Sequence, residues 1–391
     1  MFFIILWSIL IFLALLLKKQ LNLKLNSFIC IIMTIFIVLF AANINSCINA
    51  ALEGCKLWYK AILPTTFPFL IICNMLIYYD GIQLYSRFLG PLICKPLSLS
   101  KVCSFPIAAS ILCGYPIGAK YCADIYNMGY IEKEEYVRLL NIASNVSPLF
   151  LIGSVASALL NNSAVGYILL AASYISCIFI GILTQKKETI KNSSSSKNIY
   201  HQSKSNMGIA LKNSVENSIT TVLNIGGFII IFSVIISLIK TNLYFTVLIQ
   251  NIEHFFNIPS NALYSVILGS VEITNGCNML SSISIPLNLK LSLISFLCSF
   301  SGLAIIAQVL SFIGNTDIKI SRYISFKFIQ GFFSFIITYF LMIFIPSSVY
   351  TSSITAHSKI PIAPLFFPIT ATLVLYICFK VLDNTLISQK I

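Results

Sequence analysis

The sequence predicts an all-α polytopic membrane protein, with about nine transmembrane helices and two re-entrant hairpins arranged as inverted repeats. The first supporting observation is the composition. Of the 391 residues, 58% are hydrophobic and 9% are charged, whereas ordinary soluble domains carry about 25% charged residues. A soluble fold of this length has too little interior to bury so much apolar surface. The other two observations are the distribution of Lys and Arg and a set of signals that occurs twice.

Nine apolar runs are predicted to cross the membrane, although the shorter ones fall below the roughly 20 residues of a straight span. They are Phe2–Leu17, Phe28–Ala42, Thr65–Tyr79, Asn141–Leu160, Val165–Thr184, Leu223–Ile239, Leu291–Phe312, Phe328–Ile345 and Pro364–Phe379. Two further apolar stretches, Ser104–Ala119 and Ala262–Leu280, contain small polar breaks and are predicted to be hairpins. The run Phe2–Leu17 lacks a basic n-region, so we interpret it as a retained span or an uncleaved signal anchor.

The positions of the 25 Lys and Arg residues indicate whether the hairpins cross the membrane. If both turn back and the N-terminus lies outside, 20 of these residues lie on the inner side and 5 on the outer side. If both cross, the counts become 12 and 13. Because Lys and Arg favour the cytoplasmic side, the re-entrant arrangement is predicted, with the C-terminus inside. Membrane topology thus accounts for the basic excess, and nucleic acid is not expected as a partner.

Three signals recur in the same order about 155–160 residues apart. They are an apolar half-helix entered through a predicted bend, a small-residue break within a hairpin, and a polar patch entering an apolar helix. They lie at Pro64–Pro68, Cys113–Lys120 and Ser144–Phe150 in the first half, and at Asn224–Gly227, Val271–Cys277 and Cys298–Ala304 in the second. Three predicted crossings separate the copies, so the second unit should be inverted. Such halves, with broken segments at matching places, indicate a substrate site near the middle of the membrane.

The repeats predict five parts of the chain. They are an N-terminal transmembrane hairpin (1–43), a first repeat (44–185), a disordered cytoplasmic linker (186–206), a second, inverted repeat (207–346), and a C-terminal transmembrane helix with its tail (347–391). Three amphipathic stretches, Asn49–Ala61, Ile131–Leu140 and Met207–Ser218, are predicted to lie along the membrane interface. Contact with a partner helix is the alternative for these stretches.

Glu272 is the one carboxylate that falls within a predicted apolar hairpin. An ionisable group at that depth is costly and indicates function by default, although the same residue could cap the adjacent backbone. We favour the functional interpretation. One hypothesis is that Glu272 binds a proton or a cation and couples transport to an ion gradient.

The other predicted substrate-binding residues surround the breaks. Glycines let the backbone approach a ligand, prolines free carbonyl groups, and the amides at the N-termini of broken helices favour anions. The spacing of Asn141, Ser144, Asn145 and Ser147 predicts that they line one helical face, with helix–helix contact as an equal alternative. The full predicted set is Gly114, Tyr115, Pro116, Gly118, Lys120, Asn141, Ser144, Asn145, Ser147, Glu272, Thr274, Asn275, Gly276, Ser301 and Gln308.

Catalysis, metals and cofactors are not expected. The 12 cysteines form no C-x-x-C pair and the three histidines lie far apart in the sequence. No H-E-x-x-H pattern or Ser/His constellation is present. The sequence therefore predicts a protein that is not an enzyme.

Four segments resemble the YlbJ-type sporulation integral membrane proteins. They are Ser110–Lys120, Asn145–Gly153, Val271–Gly276, and Ser301–Gln308 with the following Thr316–Ile318. Proteins of this type carry the nucleoside-recognition gate domain, which also occurs in concentrative nucleoside transporters and ferrous iron permeases. The resemblance extends from about Gly54 to Ile345 and keeps the order of the motifs.

The resemblance implies a protein of endospore-forming bacteria that moves dipicolinic acid across the outer forespore membrane by alternating access. Dipicolinate is a small planar dianion, which suits helix N-termini and Lys120, whereas Glu272 beside it would have to be protonated or paired with a cation. The expected partners are this small-molecule substrate, the lipid bilayer and a coupling proton or cation. Two alternatives stay open, namely transport of a nucleoside or an ion, and a non-transporting scaffold for spore envelope assembly. The oligomeric state also stays open.

Overall fold

A computed structural model of the chain describes residues 25–185, 206–314 and 320–344, and these residues are helical with no strand. Four helical segments of this part are long and apolar enough to cross a membrane: Ser163–Leu183, Met207–Thr241, Leu287–Ile313 and Ile320–Phe344. Two bent pairs raise the number to six if each counts as one span. The prediction of an all-α polytopic membrane protein is confirmed. The predicted spans Phe2–Leu17 and Pro364–Phe379 lie outside the described residues, as does nearly all of the predicted linker.

The helices form two series with the same order: a long helix, a short helix, a helical hairpin, a broken helix and a second long helix. The first series follows α1 (Leu25–Ala42) and contains α2 (Ile44–Leu57), a π-helical segment (Trp58–Ile62), α3 (Leu63–Tyr78), α4 (Gly81–Phe88), α5 (Gly90–Ile93), α6 (Ser104–Cys113), α7 (Ile117–Asn127), α8 (Lys133–Ile142), a second π-helical segment (Leu149–Leu159) and α9 (Ser163–Leu183). The second series contains α10 (Met207–Thr241), α11 (Leu243–Phe255), α12 (Ala262–Val271), α13 (Ile273–Ser282), α14 (Leu287–Phe300), α15 (Gly302–Ile313) and α16 (Ile320–Phe344).

The first long helices of the two series pack side by side in opposite directions. At one end, Ser237 Oγ donates to the Ser46 carbonyl at 3.3 Å. In the middle, Trp58 Nε1 donates to the Val222 carbonyl at 3.0 Å. Further along, Asn74 Nδ2 donates to Ser218 Oγ at 3.0 Å. Antiparallel packing of corresponding helices is the relation that inverted units require.

The predicted bend at Asn224–Gly227 is absent, since α10 continues as a helix through it. The predicted bend at Pro64–Pro68 lies within α3, which directly follows the first π-helical segment. Pro64 falls in the first turn of α3, where a missing amide hydrogen costs little, and Pro68 lies in its interior. The stretches Asn49–Ala61 and Met207–Ser218, which were predicted to lie along the membrane interface, are therefore parts of the two packed long helices. Gly226 admits the Trp58 indole, since a Cβ there would lie 2.7 Å from Trp58 Nε1.

We expect Gly226→Ala to lower the free energy of unfolding by about 1–3 kcal/mol, because the added methyl group overpacks the indole ring. The ring cannot swing aside without losing its hydrogen bond to Val222. Gly227→Ala is the matched control, since a Cβ there meets nothing within 4 Å. It should be neutral or stabilising by up to about 1 kcal/mol, because Ala has the higher helix propensity. Unfolding midpoints in mild detergent measure both, and equal effects would contradict this packing.

The predicted span Asn141–Leu160 is broken. α8 ends at Ile142, residues 143–147 are not helical, and the chain resumes as a π-helical segment at Leu149. Pro148 disfavours a helical conformation in the residue before it, and Ser and Asn side chains compete for backbone hydrogen bonds. Asn141, Ser144, Asn145 and Ser147 therefore do not share one helical face, contrary to the prediction.

The stretch Ile131–Leu140 forms most of α8, the first arm of this broken span. It does not present an apolar face for the membrane interface, because Tyr136, Leu139 and Leu140 are fully buried. Tyr136 stacks on Tyr126 of α7, with ring centroids 4.6 Å apart. The interfacial prediction for this stretch is wrong, since its apolar side packs on the protein.

The corresponding span of the second half, Leu287–Ile313, is broken at one point. Ser301 and Gly302 both adopt positive φ angles, 74° and 68°, and separate α14 from α15. α14 packs closely on α16 through small polar side chains, as membrane helices commonly do. Ser295 Oγ and Ser334 Oγ lie 2.6 Å apart, and Thr338 Oγ1 donates to Ser295 Oγ at 2.7 Å. α16 also contacts the break of the first half, since Ser144 Oγ and Tyr323 Oη lie 2.8 Å apart.

Candidate functional site

Both predicted hairpins turn back on themselves. Hairpin 1 consists of α6, residues 114–116 and α7, and hairpin 2 consists of α12, Glu272 and α13. In hairpin 1, a Cβ on Gly118 would lie 2.5 Å from Ser110 Cβ. In hairpin 2, a Cβ on Gly276 would lie 2.2 Å from Gly269 Cα. The two arms of each hairpin therefore touch near its tip at positions where only glycine fits.

The tip of each hairpin packs against the broken helix of its own half. The Tyr115 amide donates to the Asn145 carbonyl at 2.7 Å, and the Asn145 amide donates to Ser110 Oγ at 3.2 Å. In the second half, a Cβ on Gly302 would lie 3.3 Å from the carbonyl oxygens of Gly269 and Ser270. The hairpin and the break thus form one unit in each half.

Hydrogen bonds join the two halves close to their breaks. Tyr115 Oη, at the tip of hairpin 1, donates to the Cys298 carbonyl of α14 at 3.3 Å. Ser144 Oγ and Tyr323 Oη of α16 share a hydrogen bond of 2.8 Å. Ser299 Oγ donates to Ser173 Oγ of α9 at 3.1 Å. Each break therefore lies close to a helix of the other half, and the tip of hairpin 1 lies beside the second break.

Glu272 caps α13. Its carboxylate accepts hydrogen bonds from the Thr274 and Asn275 amides, both at 2.9 Å, and from Asn275 Nδ2 at 3.0 Å. Lys240, at the end of α10, donates to Asn275 Oδ1 at 3.0 Å. The capping interpretation of Glu272 is thus observed, while a role in transport stays a prediction. The Thr274 and Asn275 amides at the N-terminus of α13 were predicted to bind an anionic substrate. They donate to Glu272 instead, so this prediction is wrong for these two amides.

Lys120 is buried and its charge is already paired. Lys120 Nζ lies 2.7 Å from Asp124 Oδ2, one turn along α7, and 4.7 Å from the centroid of the Tyr121 ring. Only 5% of the Lys120 side chain is exposed. A cation whose charge is already compensated by a carboxylate attracts a dianion only weakly. The surroundings of Lys120 therefore do not support the expectation that it binds dipicolinate.

Lys327 is a buried cation that the charge count placed on the cytoplasmic surface. It lies inside α16 with 1% of its surface exposed. Its Nζ donates to the Ser144 carbonyl and, at 2.9 Å, to Gln330 Oε1. Gln330 Nε2 donates in turn to Asn145 Oδ1 at 2.9 Å. Lys327 and Gln330 are one helical turn apart, and this spacing is the sequence signal for a polar face on α16. The signal was missed because the predicted span Phe328–Ile345 began one residue after Lys327.

Removing the buried Lys120 and Lys327 from the inner side leaves 18 cationic residues there against 5 outside. The preference for the re-entrant arrangement is therefore unchanged.

The structure divides the predicted site residues into two groups. Half-exposed residues at the tips and breaks are Tyr115, Ser147, Glu272, Thr274 and Asn275. Buried residues are Gly114, Pro116, Gly118, Lys120, Asn141, Ser144, Asn145, Gly276, Ser301 and Gln308. Within the second group, Asn141 lies in the last turn of α8, where its Nδ2 donates to the Val137 carbonyl of the same helix. Among the described residues, no group of three or more His, Cys, Asp or Glu side chains could hold a metal ion.

Comparison with known proteins finds similarity in sequence to a sporulation protein and in structure to a solved membrane protein. The sporulation integral membrane protein YlbJ of Bacillus subtilis (strain 168) is 26% identical over 307 residues, which cover 73% of this chain and 75% of that protein. A variant of CNTnw in an outward-facing state has 16% identity and a TM-score of 0.46, over 82% of this chain and 85% of that chain. That TM-score does not establish a shared fold. No protein-family model matches the chain. The resemblance to YlbJ that the motifs predicted is confirmed, and the chain is an integral membrane protein.

Proposed function

We propose that this chain is a transporter that moves a small carboxylate, dipicolinic acid in a sporulating cell, across the outer forespore membrane by alternating access. The observation that carries the proposal is the hydrogen bond from Tyr115 Oη to the Cys298 carbonyl. It joins the tip of hairpin 1 to the broken helix of the other half. Broken helices that meet between antiparallel units are the usual construction of a transport site. The repeats 44–185 and 207–346 would then be the units that move.

The proposed site consists of the half-exposed polar groups near this junction. Tyr115 and Ser147 come from the first half, and Glu272, Thr274 and Asn275 come from the second. Lys240 adds a positive charge beside hairpin 2, since it contacts Asn275 at 3.0 Å. A carboxylate near Lys240 would be stabilised by this charge, and Glu272 is close enough to Lys240 to interact with it electrostatically. Binding of a dianion beside the Glu272 carboxylate is therefore proposed to depend on the positive charge of Lys240.

The choice of dipicolinate and of the forespore membrane rests on the similarity to YlbJ, whose name places it in sporulation. The test is uptake by liposomes that contain the purified, full-length protein. Labelled dipicolinate should accumulate, and excess nucleoside should not compete. Competition by a nucleoside would favour the alternative that the protein transports nucleosides. If the folded protein takes up no solute at all, a transport role is contradicted.

We expect Glu272→Gln to lower dipicolinate uptake about tenfold or more. The amide side chain keeps one acceptor but loses a charged one, and hydrogen bonds to charged groups contribute about 1.5–3 kcal/mol, where 1.4 kcal/mol corresponds to a factor of ten. Uptake at several pH values is the measurement, and an unchanged rate and pH profile would remove Glu272 from the mechanism.

Glu253→Gln is the matched control for this variant. Glu253 also accepts two backbone amides, from Asn261 at 2.8 Å and Tyr264 at 3.0 Å. It is buried at the base of hairpin 2, away from the tips. Its replacement should lower stability while leaving the pH profile of uptake unchanged, which separates loss of a cap from loss of a transport group.

A further inference from the structure

The break in the first half turns backbone carbonyl groups to partners outside the regular helix. Residues 143–147 leave the helical conformation between α8 and the second π-helical segment, and the Asn145 carbonyl accepts from the Tyr115 amide while the Val146 carbonyl accepts from Tyr174 Oη. A third, the Ser144 carbonyl, accepts a hydrogen bond from Lys327 Nζ. In membrane transporters, the carbonyl groups of unwound helix segments typically coordinate the coupling ion, such as sodium. Here a side chain of the protein brings a cation to such a carbonyl.

Among the described residues, the partners of Lys327 are hydrogen-bond acceptors and not anions. Its hydrogen bonds go to the Ser144 carbonyl and to Gln330 Oε1. Within residues 25–185, 206–314 and 320–344, no carboxylate forms an ion pair with Lys327. A buried charge without a partner is expensive, so carbonyl dipoles have to stabilise it, as they do for a metal cation in a carbonyl-lined site. Lys120, by contrast, has its own carboxylate partner in Asp124.

Lys327 belongs to a face of α16 that contacts two residues of the break, Ser144 and Asn145. Tyr323, Lys327 and Gln330 are spaced by four and three residues, so they lie on one side of the helix. Tyr323 contacts Ser144 Oγ at 2.8 Å, and Gln330 contacts Asn145 Oδ1 at 2.9 Å. The second half thus fixes the broken segment of the first half through three neighbouring side chains, with the ammonium group in the middle.

We propose that Lys327 is a built-in cation that replaces a bound metal ion at the first break. Its ammonium group neutralises the partial charge of the freed carbonyl and fastens residues 143–147 to α16. The first break therefore takes up neither sodium nor potassium, and its structure is independent of both ions. Lys327 is a positioning residue in this role, and the inference does not depend on which substrate is carried.

The test compares the unfolding midpoint of the full chain in mild detergent, in sodium, potassium or choline chloride of equal ionic strength. The wild-type midpoint should be the same in all three salts. Lys327→Met should unfold several degrees lower in choline chloride, because the Ser144 carbonyl and Gln330 lose their donor. Sodium or potassium should restore part of this loss by entering the vacated position.

Lys290→Met is the matched control. Lys290 Nζ also donates to a backbone carbonyl, that of Ser281 at 2.9 Å, but Lys290 is only half-buried. Its replacement should change the midpoint little and introduce no dependence on the cation. A salt-specific rescue of Lys327→Met alone would support a cation position at the first break.

Two results would overturn the proposal. One is a wild-type midpoint that falls when choline replaces sodium, because the native chain would then bind a metal ion. The other is a folded Lys327→Met with the wild-type midpoint or with no response to sodium and potassium. If Lys327→Met does not fold in any of the salts, the proposal is tested on the wild type instead, by comparing amide hydrogen exchange of residues 143–147 in sodium and in choline chloride. Equal exchange in sodium and choline supports the built-in cation, and slower exchange in sodium contradicts it.

Discussion

Gly276→Ala should lower the free energy of unfolding by about 3 kcal/mol or more, the upper end of the usual cost of overpacking. The added Cβ would lie 2.2 Å from Gly269 Cα and 3.0 Å from the Gly269 amide nitrogen. Both contacts are with backbone, so no change of rotamer relieves them and the arms of hairpin 2 have to separate. Because Gly302 packs on the carbonyl of Gly269, the separation should also disturb the break between α14 and α15.

The measurements for Gly276→Ala are its unfolding midpoint in mild detergent and its dipicolinate uptake in liposomes, and both should fall sharply. Gly153→Ala is the control, since it also adds one methyl group to an apolar helical segment. In the described part of the chain, the one heavy atom within 4 Å of a Cβ there is Leu149 Cδ1, at 3.7 Å, which is an ordinary contact. Equal midpoints for the two variants would show that the arms of hairpin 2 do not touch as described.

Asn145→Leu should cost about 3 kcal/mol of stability and abolish uptake. Asn145 Oδ1 accepts from Gln330, and Asn145 Nδ2 donates to the Ile142 carbonyl at 2.6 Å and to Cys177 Sγ at 3.0 Å. A leucine leaves the Gln330 amide and the Ile142 carbonyl buried without these partners, and each such group costs about 1–3 kcal/mol. Uptake should be lost because the same side chain links the break of the first half to α16.

Asn43→Leu provides the comparison for Asn145→Leu. Asn43 Nδ2 also donates to a backbone carbonyl, that of Leu39 at 3.0 Å, but at the surface of the protein. Substitutions of this kind at a surface usually stay within about 0.5 kcal/mol. If the two variants have similar unfolding midpoints, the network around Asn145 contributes little to the junction between the halves.

Features that follow from local chemistry could be read from the sequence. The two hairpins turn at Gly114–Pro116 and at Glu272, as the residue types there predict. The breaks near Ser144 and Ser301 fall in the polar patches that the repeat pattern marks, but the sequence predicted helices through them. Small residues, prolines and polar side chains act on their own backbone within a few residues, so their effect does not depend on the rest of the fold. The order of elements and the all-helical membrane class follow for the same reason.

Features that depend on which helices meet were missed or assigned incorrectly. Gly226 reads as a bend, yet it admits Trp58 from a helix more than a hundred residues away. Lys327 reads as a cytoplasmic charge at the end of a span, yet it is buried against Ser144 of the other half. In both cases the partner comes from a distant part of the chain, so no local pattern carries the information. Packing between the two halves therefore defines the junction, and with it the side chains that hold the proposed site.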